Sequence, residues 1–190
     1  MTRLANTATA DLTAHREAAS GLTAVRIWLF ALAGFVFAMV VVGGATRLTG
    51  SGLSITEWQP VLGTIPPLSE AAWLDAFDKY RHIPQFRLVN PDMGLEAFKA
   101  IYRWEWAHRL LGRLTGIVFL LPFLYFVARR AIPKAMISRV LALFILGSAQ
   151  GALGWFMVKS GLVDVPHVSP YRLTGHLVLC LLYTSDAADE

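Results

Sequence analysis

Two stretches, residues 27–46 and 140–158, contain no charged side chain. Each is close to the ~20 apolar residues needed to cross the hydrocarbon core of a bilayer. Lipid offers backbone polar groups no partner, so such a run must satisfy them internally as a helix. A third run, residues 104–128, is free of charge from 114 onward. Its outer part carries Glu105, His108, Arg109 and Arg113. The chain is 55% hydrophobic and 16% charged, against about 45–50% and about 25% for a soluble domain. The expected fold class is all-α: a polytopic membrane helical bundle with three full transmembrane helices and a helical outer loop. A fourth apolar run, 173–183, covers only ~16 Å at ~1.5 Å per residue. It reads as a truncated fourth helix.

Three segments are expected. Residues 1–24 are polar and rich in Ala and Thr. They read as a cytoplasmic tail, mobile to about Leu22, and not as a signal peptide, because the apolar run that follows is too long for one. Residues 25–183 form the four-helix unit. Residues 184–190 are polar and acidic and read as a foreign tail. Cys180 is the single cysteine, so no internal disulfide can form, and a buried structural thiol is expected.

Arg129, Arg130, Lys134 and Arg139 share one short loop with no acid. The positive-inside rule places that loop in the cytoplasm, with Arg3, Arg16 and Arg26 on the same side. The net charge of +4 is accounted for by this topology, and no nucleic-acid partner is expected. Residues 47–103 then form a long, charge-balanced outer loop. The shorter outer loop, 159–172, contains Asp164. Within the long loop Ser69 is suited to cap a helix, with Glu70 in its first turn. Ala72, Trp73, Ala76, Phe77 and Tyr80 follow at helical spacing, a stripe suited to the membrane surface. Asp92, after Asn90-Pro91, is a candidate cap for a helix that starts near Leu95 and runs unbroken into the membrane.

His108 and His176 each lie one turn inside an outer helix end, after Trp104 and Arg172 respectively. Two imidazoles at matched depth on separate helices are the ligand set of a bis-histidine haem. Glu105 shares a helix face with Arg109, and the face or its edge with His108. It is either the partner of Arg109 in an ion pair or a catalytic carboxylate beside the haem. Arg47, Arg109, Arg113 and Arg172 gather near the outer boundary. Each can fork a haem carboxylate or snorkel as an interface anchor. Arg113, set deepest, is the one most expected to be paired. Gln150, in mid-membrane, suits an interhelical hydrogen bond or a pocket contact. Gly147 and Gly151, with Gly154 a turn beyond, allow close helix approach, as do Gly43 and Gly44. His82 and His167 are expected to be ordinary surface histidines.

Four segments carry a resemblance. They are Gly43-Gly-Ala-Thr-Arg-Leu-Thr-Gly-Ser-Gly-Leu-Ser-Ile-Thr-Glu-Trp-Gln-Pro60, Glu96-Ala-Phe-Lys-Ala-Ile-Tyr-Arg-Trp-Glu-Trp-Ala-His-Arg-Leu-Leu-Gly-Arg113, Gln150-Gly-Ala-Leu-Gly-Trp-Phe-Met-Val-Lys-Ser-Gly161 and Tyr171-Arg-Leu-Thr-Gly-His176-Leu. In this order they resemble the haem A synthase family, in its proteobacterial and mitochondrial branch. The cysteine pair that some bacterial members carry in the first outer loop is absent. The resemblance implies eight transmembrane helices in two four-helix halves. It implies haem O as substrate in the N-terminal half and a haem b cofactor in the C-terminal half. The implied reaction oxidises a porphyrin methyl to a formyl group, giving haem A for cytochrome oxidase. His108 and His176 match the family's N-terminal histidine pair, and Glu105 its essential acid. A bacterial inner-membrane location follows, with the haem site near the outer face. Membrane lipid, haem O synthase and cytochrome oxidase assembly factors are the implied partners, and self-association is left open. A chain ending in its fourth helix would lack the second haem site and is expected to be inactive alone.

Two other functions fit the histidine pair less fully: a bis-histidine cytochrome that only carries electrons, and a haem-free assembly partner of the oxidase. An electron carrier has no need of residues 53–58 and an outer helix. An enzyme handling a haem with an isoprenoid tail does.

Overall fold

The structure, a computed structural model, describes the backbone of residues 2–57, 62–162 and 166–186 and the side chains of 21–57, 63–159, 161–162 and 166–180. Trp58, Asp164 and residues 187–190 lie outside the described residues. Six α-helices and no strand occur among the described residues: α1 (Thr2–Leu48), α2 (Glu70–Arg81), α3 (Pro84–Val89), α4 (Leu95–Ala128), α5 (Lys134–Gly161) and α6 (Pro170–Asp186), with one 3-10 turn at Leu62–Thr64. Three stretches are long and apolar enough to cross a membrane: Gly21–Leu48, Leu95–Ala128 and Lys134–Lys159. α1 begins at Thr2, so helix already covers the segment read from sequence as a tail. α6 begins at Pro170 and continues through Asp186, longer than its apolar run.

Local chemistry sets several helix ends. Past the end of α1, Gly50 adopts φ +64, and the Ser51 N–H returns to the Thr46 carbonyl at 2.9 Å. This left-handed residue is cheap only for glycine. α2 starts as expected, with the Ser69 hydroxyl accepting from the Ala72 N–H. α4 does not use Asp92. Its N-cap is Gly94, with no side-chain cap bond. The Met93 N–H closes a turn on the Asn90 carbonyl at 3.1 Å, and the chain enters the helix two residues after Asp92.

Buried apolar side chains form two clusters. The first joins Val25, Trp28 and Leu32 of α1 to Phe119, Phe123 and Phe126 of α4, with Ile132 and Val140. The Trp28 indole N–H donates to the Val118 carbonyl at 2.8 Å. That interhelical bond uses a group that lipid could not satisfy. Elsewhere the spans expose large apolar residues, among them Phe30 and Phe37, which is the outward face a bilayer requires.

The second cluster joins the loop after α1 and the helix α2 to the first turns of α4. Tyr80 and Phe98 are fully buried, with Leu53 and Ile83 beside them. Trp73, Phe77 and Tyr80 of α2 meet Phe98 or Tyr102 of α4 with ring centroids 5.1–6.5 Å apart. The stripe expected to lie on the membrane surface therefore packs on the protein. Periodicity marks an apolar face without saying what covers it, and here the outer extension of α4 does. Burial pushes the Tyr80 hydroxyl above the usual tyrosine range. Hydrogen bonding first to Asp75 and then to Glu57 raises Lys79.

Leu53 ties the outer loop to α5. A Cβ at Gly161 would fall 2.7 and 2.8 Å from its two methyl carbons, and Leu53 is only 2% exposed, with little room to yield. Gly161→Ala is expected to cost about 1–3 kcal/mol by overpacking, read as a lower unfolding midpoint in detergent. Leu53→Ala in the same chain should recover part of that loss. Additive effects of the two changes would show that the contact is not tight.

Candidate functional site

The long loop after α1 is fastened to α4 through Glu105. This carboxylate is 2% exposed, and both its oxygens are fully engaged. Oε1 accepts from Arg109 Nη2 at 2.6 Å and Nε at 3.0 Å. Oε2 accepts from the Ser54 hydroxyl and the Ile55 N–H, each at 2.8 Å. Four donors use about all the lone-pair capacity a carboxylate has. Arg109 then donates onward to the carbonyls of Ile55 at 2.9 Å and Glu57 at 3.3 Å. The ion-pair reading of Glu105 named Arg109, and that pair is present; Ser54 and Ile55 were found only by the fold. They stand about fifty residues from Glu105, and no helical spacing links them to it.

The strap continues down α4. The Trp106 indole N–H donates to the Thr64 carbonyl at 3.1 Å, and Arg113 Nη1 to that of Gly63 at 3.2 Å. Arg172 donates to the Phe156 carbonyl at 3.1 Å and lies 4.0 Å from the centroid of the Phe156 ring. Three of the four expected arginines thus bond to backbone carbonyls of this chain. Arg47, in the last turn of α1, is exposed. An open cavity of about 440 Å³ lies between the loop, α2 and α4, lined by Arg109, Arg113, Lys79, Glu57 and Tyr102 among others. Neither histidine lines it.

His108 and His176 occupy a different part of the bundle. They project from α4 and α6. Each lies against a glycine of a neighbouring helix. A Cβ at Gly43 of α1 would be 3.1 Å from His108 Nε2, and one at Gly154 of α5 would be 3.3 Å from His176 Cε1. Gly147 and Gly151, expected to mark the close approach, have nothing within 4 Å of a built Cβ. A small-xxx-small pair permits close packing without choosing the neighbour. α6 sits on the Gly154 face. Gln150, one turn before Gly154, makes the expected interhelical bond: its Nε2 donates to the His176 carbonyl at 2.8 Å. His82 and His167 are exposed, as expected.

The surroundings of the imidazoles fit a flat, largely apolar guest with a metal at its centre. Between Glu105 and Phe119, α4 buries no side chain. That interval rises ~21 Å at ~1.5 Å per residue, so the two buried clusters flank it without filling it. His176 Nδ1 is buried with no hydrogen-bond partner, and glycine backs both rings. No group of three or more His, Cys, Asp or Glu able to hold a bare ion occurs among the described residues. Two imidazoles alone suit a metal whose other ligands come from a macrocycle.

Apolar helices able to span a bilayer, a strapped outer loop and an imidazole pair between helices define a multi-pass helical membrane protein with a candidate tetrapyrrole site. The chain belongs to the family described as "Cytochrome oxidase assembly protein", whose model matches residues 26–186. Relatives named "Heme A synthase" occur in Azorhizobium caulinodans, 56% identical over 90% of this chain and 49% of the relative, and in Caulobacter vibrioides, 59% identical over 83% and 46%. Another, from Nitrosospira multiformis, is 57% identical over 82% of this chain and 44% of its own length. The chain spans about half the length of these relatives. No solved structure matches it.

Proposed function

We propose that this chain binds haem O through His108 and His176 and takes part in oxidising one methyl group of that substrate to a formyl group, giving haem A. The observation that carries the proposal is the imidazole pair: one ring from α4 and one from α6, each lying against a glycine of a neighbouring helix, with His176 Nδ1 buried and without a hydrogen-bond partner. The kinship with proteins named "Heme A synthase" supplies the substrate and reaction class. The site then belongs near the non-cytoplasmic face, with the basic 129–139 segment inside. Haem b in a second half, and contacts with haem O synthase or oxidase assembly factors, follow from the kinship alone.

Within this reading the chain's own groups have separate tasks. The imidazoles bind and orient the substrate by its iron. Glu105, Arg109, Ser54 and Ile55 hold the outer loop against α4, one turn from His108, and so keep water from the outer end of the site. The elaborate strap favours an enzyme over a simple electron carrier, which needs only the ligands. Arg47, exposed in the last turn of α1, is the arginine assigned in this reading to a substrate carboxylate.

Converting a methyl to a formyl group with water as the oxygen source releases four electrons and four protons to acceptors. If His108 and His176 both ligate the substrate's iron, dioxygen would have no site there, and the formyl oxygen is then expected to come from water. Labelling with heavy-oxygen water against heavy-oxygen dioxygen, in membranes containing the full-length protein, tests this. Label arriving from dioxygen would overturn the two-imidazole arrangement during turnover. Titration of the purified chain with haem O tests binding itself, the expected result being a six-coordinate low-spin spectrum at one haem per chain.

A further inference from the structure

We infer that Gln150 is the positioning residue of His176: its amide oxygen accepts the imidazole Nδ1–H and leaves Nε2 to face the iron. The inference rests on the proposed haem ligation and extends it to a residue that neither coordinates nor reacts.

Among the described residues, two buried side-chain polar atoms lack a hydrogen-bond partner: Gln150 Oε1 and His176 Nδ1. Both lie in the seam between α5 and α6. Each such atom costs about 1–3 kcal/mol, and the two are chemically complementary. Gln150 Oε1 can only accept. His176 Nδ1 donates in the tautomer that leaves Nε2 basic. The orientation of the amide is set independently, because Nε2 of Gln150 donates to the His176 backbone carbonyl at 2.8 Å. The oxygen is therefore the end left over. Gly154, one turn further along α5, would place a Cβ 3.8 Å from Nδ1 and 3.3 Å from Cε1, so the Nδ1 edge of the ring lies toward α5. Glycine at 154 leaves the ring room to turn. Rotation about the bond to an imidazole ring is soft, so closing the contact requires little strain.

Metal-bound histidines generally donate their second N–H to an acceptor, which fixes the tautomer and raises ligand basicity. Gln150 supplies that acceptor and grips the same residue's backbone. One side chain thus sets both the height and the tilt of His176. Glu105, saturated by its own donors, does nothing comparable for His108.

The test is Gln150→Leu in the chain loaded with haem O, with His176→Ala in parallel. Gln150→Leu is expected to keep the six-coordinate spectrum, to weaken haem binding by ~10–100-fold and to raise the reduction potential, because a less basic imidazole stabilises ferric iron less. A role confined to joining α5 and α6 would lower the unfolding midpoint and leave the potential unchanged, and that outcome overturns the inference. If His176→Ala keeps the wild-type low-spin spectrum, the haem reading itself fails. If it loses that spectrum while Gln150→Leu matches wild type in affinity and potential, the positioning role alone fails. Should Gln150→Leu not fold, nitrogen-15 spectra of the histidine-labelled, haem-loaded wild type decide. A His176 Nδ1–H bonded to the Gln150 side-chain oxygen supports the inference; one that is unbonded, or bonded instead to the Gln150 backbone carbonyl beside the ring, overturns it.

Discussion

Replacing either His108 or His176 with alanine is expected to abolish the low-spin haem spectrum. The two residues sit on different helices with different backing: Gly43 of α1 behind His108, and Gly154 of α5 behind His176. Among the histidines whose side chains are described, the other two, His82 and His167, are exposed and outside the spans and cannot take their place. Removing an outer-shell partner costs ~10–100-fold in metal affinity, and loss of a ligand should cost more. Alanine at either position leaves at most a five-coordinate, high-spin haem. The measurement is the Soret and α-band spectrum of purified protein, with the unfolding midpoint of the haem-free form as a control for folding. Unchanged low-spin spectra in both variants would remove the basis of the proposed function.

Glu105→Ala is expected to produce the largest structural effect of any single polar substitution. It strands the Arg109 guanidinium, the Ser54 hydroxyl and the Ile55 N–H together. Breaking a buried ion pair by removing one partner costs about 3–5 kcal/mol. The loss should appear as a lower unfolding midpoint and as faster hydrogen exchange at the Ile55 amide. Glu105→Gln is milder. It keeps one carbonyl oxygen but turns an NH2 group toward donors, at about 1–3 kcal/mol. Haem binding is expected to survive in Glu105→Gln, because the histidine pair stands apart from the clamp, while haem A formation by the full-length protein is lost. Wild-type protection of the Ile55 amide in Glu105→Ala would disprove the clamp. Normal haem A formation in Glu105→Gln would leave Glu105 a structural role only.

Much of the helical frame was legible in the residues. The spans of α1, α4 and α5 follow from charge-free length. The start of α4 near Leu95 and the Ser69 cap follow from turn and cap chemistry acting over a few residues. His108 and His176 were read as a pair because each follows an apparent helix end by one turn. The Asp92 cap was misplaced, because the Asn90–Met93 turn delays helix entry. The glycine pair Gly147 and Gly151 pointed to the wrong face of α5, because small residues permit an approach without directing it. The arginines were recognised as boundary residues, but their carbonyl partners at Ile55, Glu57, Gly63 and Phe156 are loop and helix-end atoms that carry no sequence signature.

By itself, the order of residues determined that this chain forms helices long and apolar enough to cross a lipid bilayer. That follows from a rule that acts locally: lipid solvates no backbone, so a charge-free run must close its own hydrogen bonds as a helix. The tertiary structure alone decided that Ser54 and Ile55 hold Glu105, that Leu53 seats on Gly161, and that Gln150 reaches His176. These contacts join points far apart in the chain. Each depends on which face of a helix its neighbour covers, and that is settled only when all the helices pack at once.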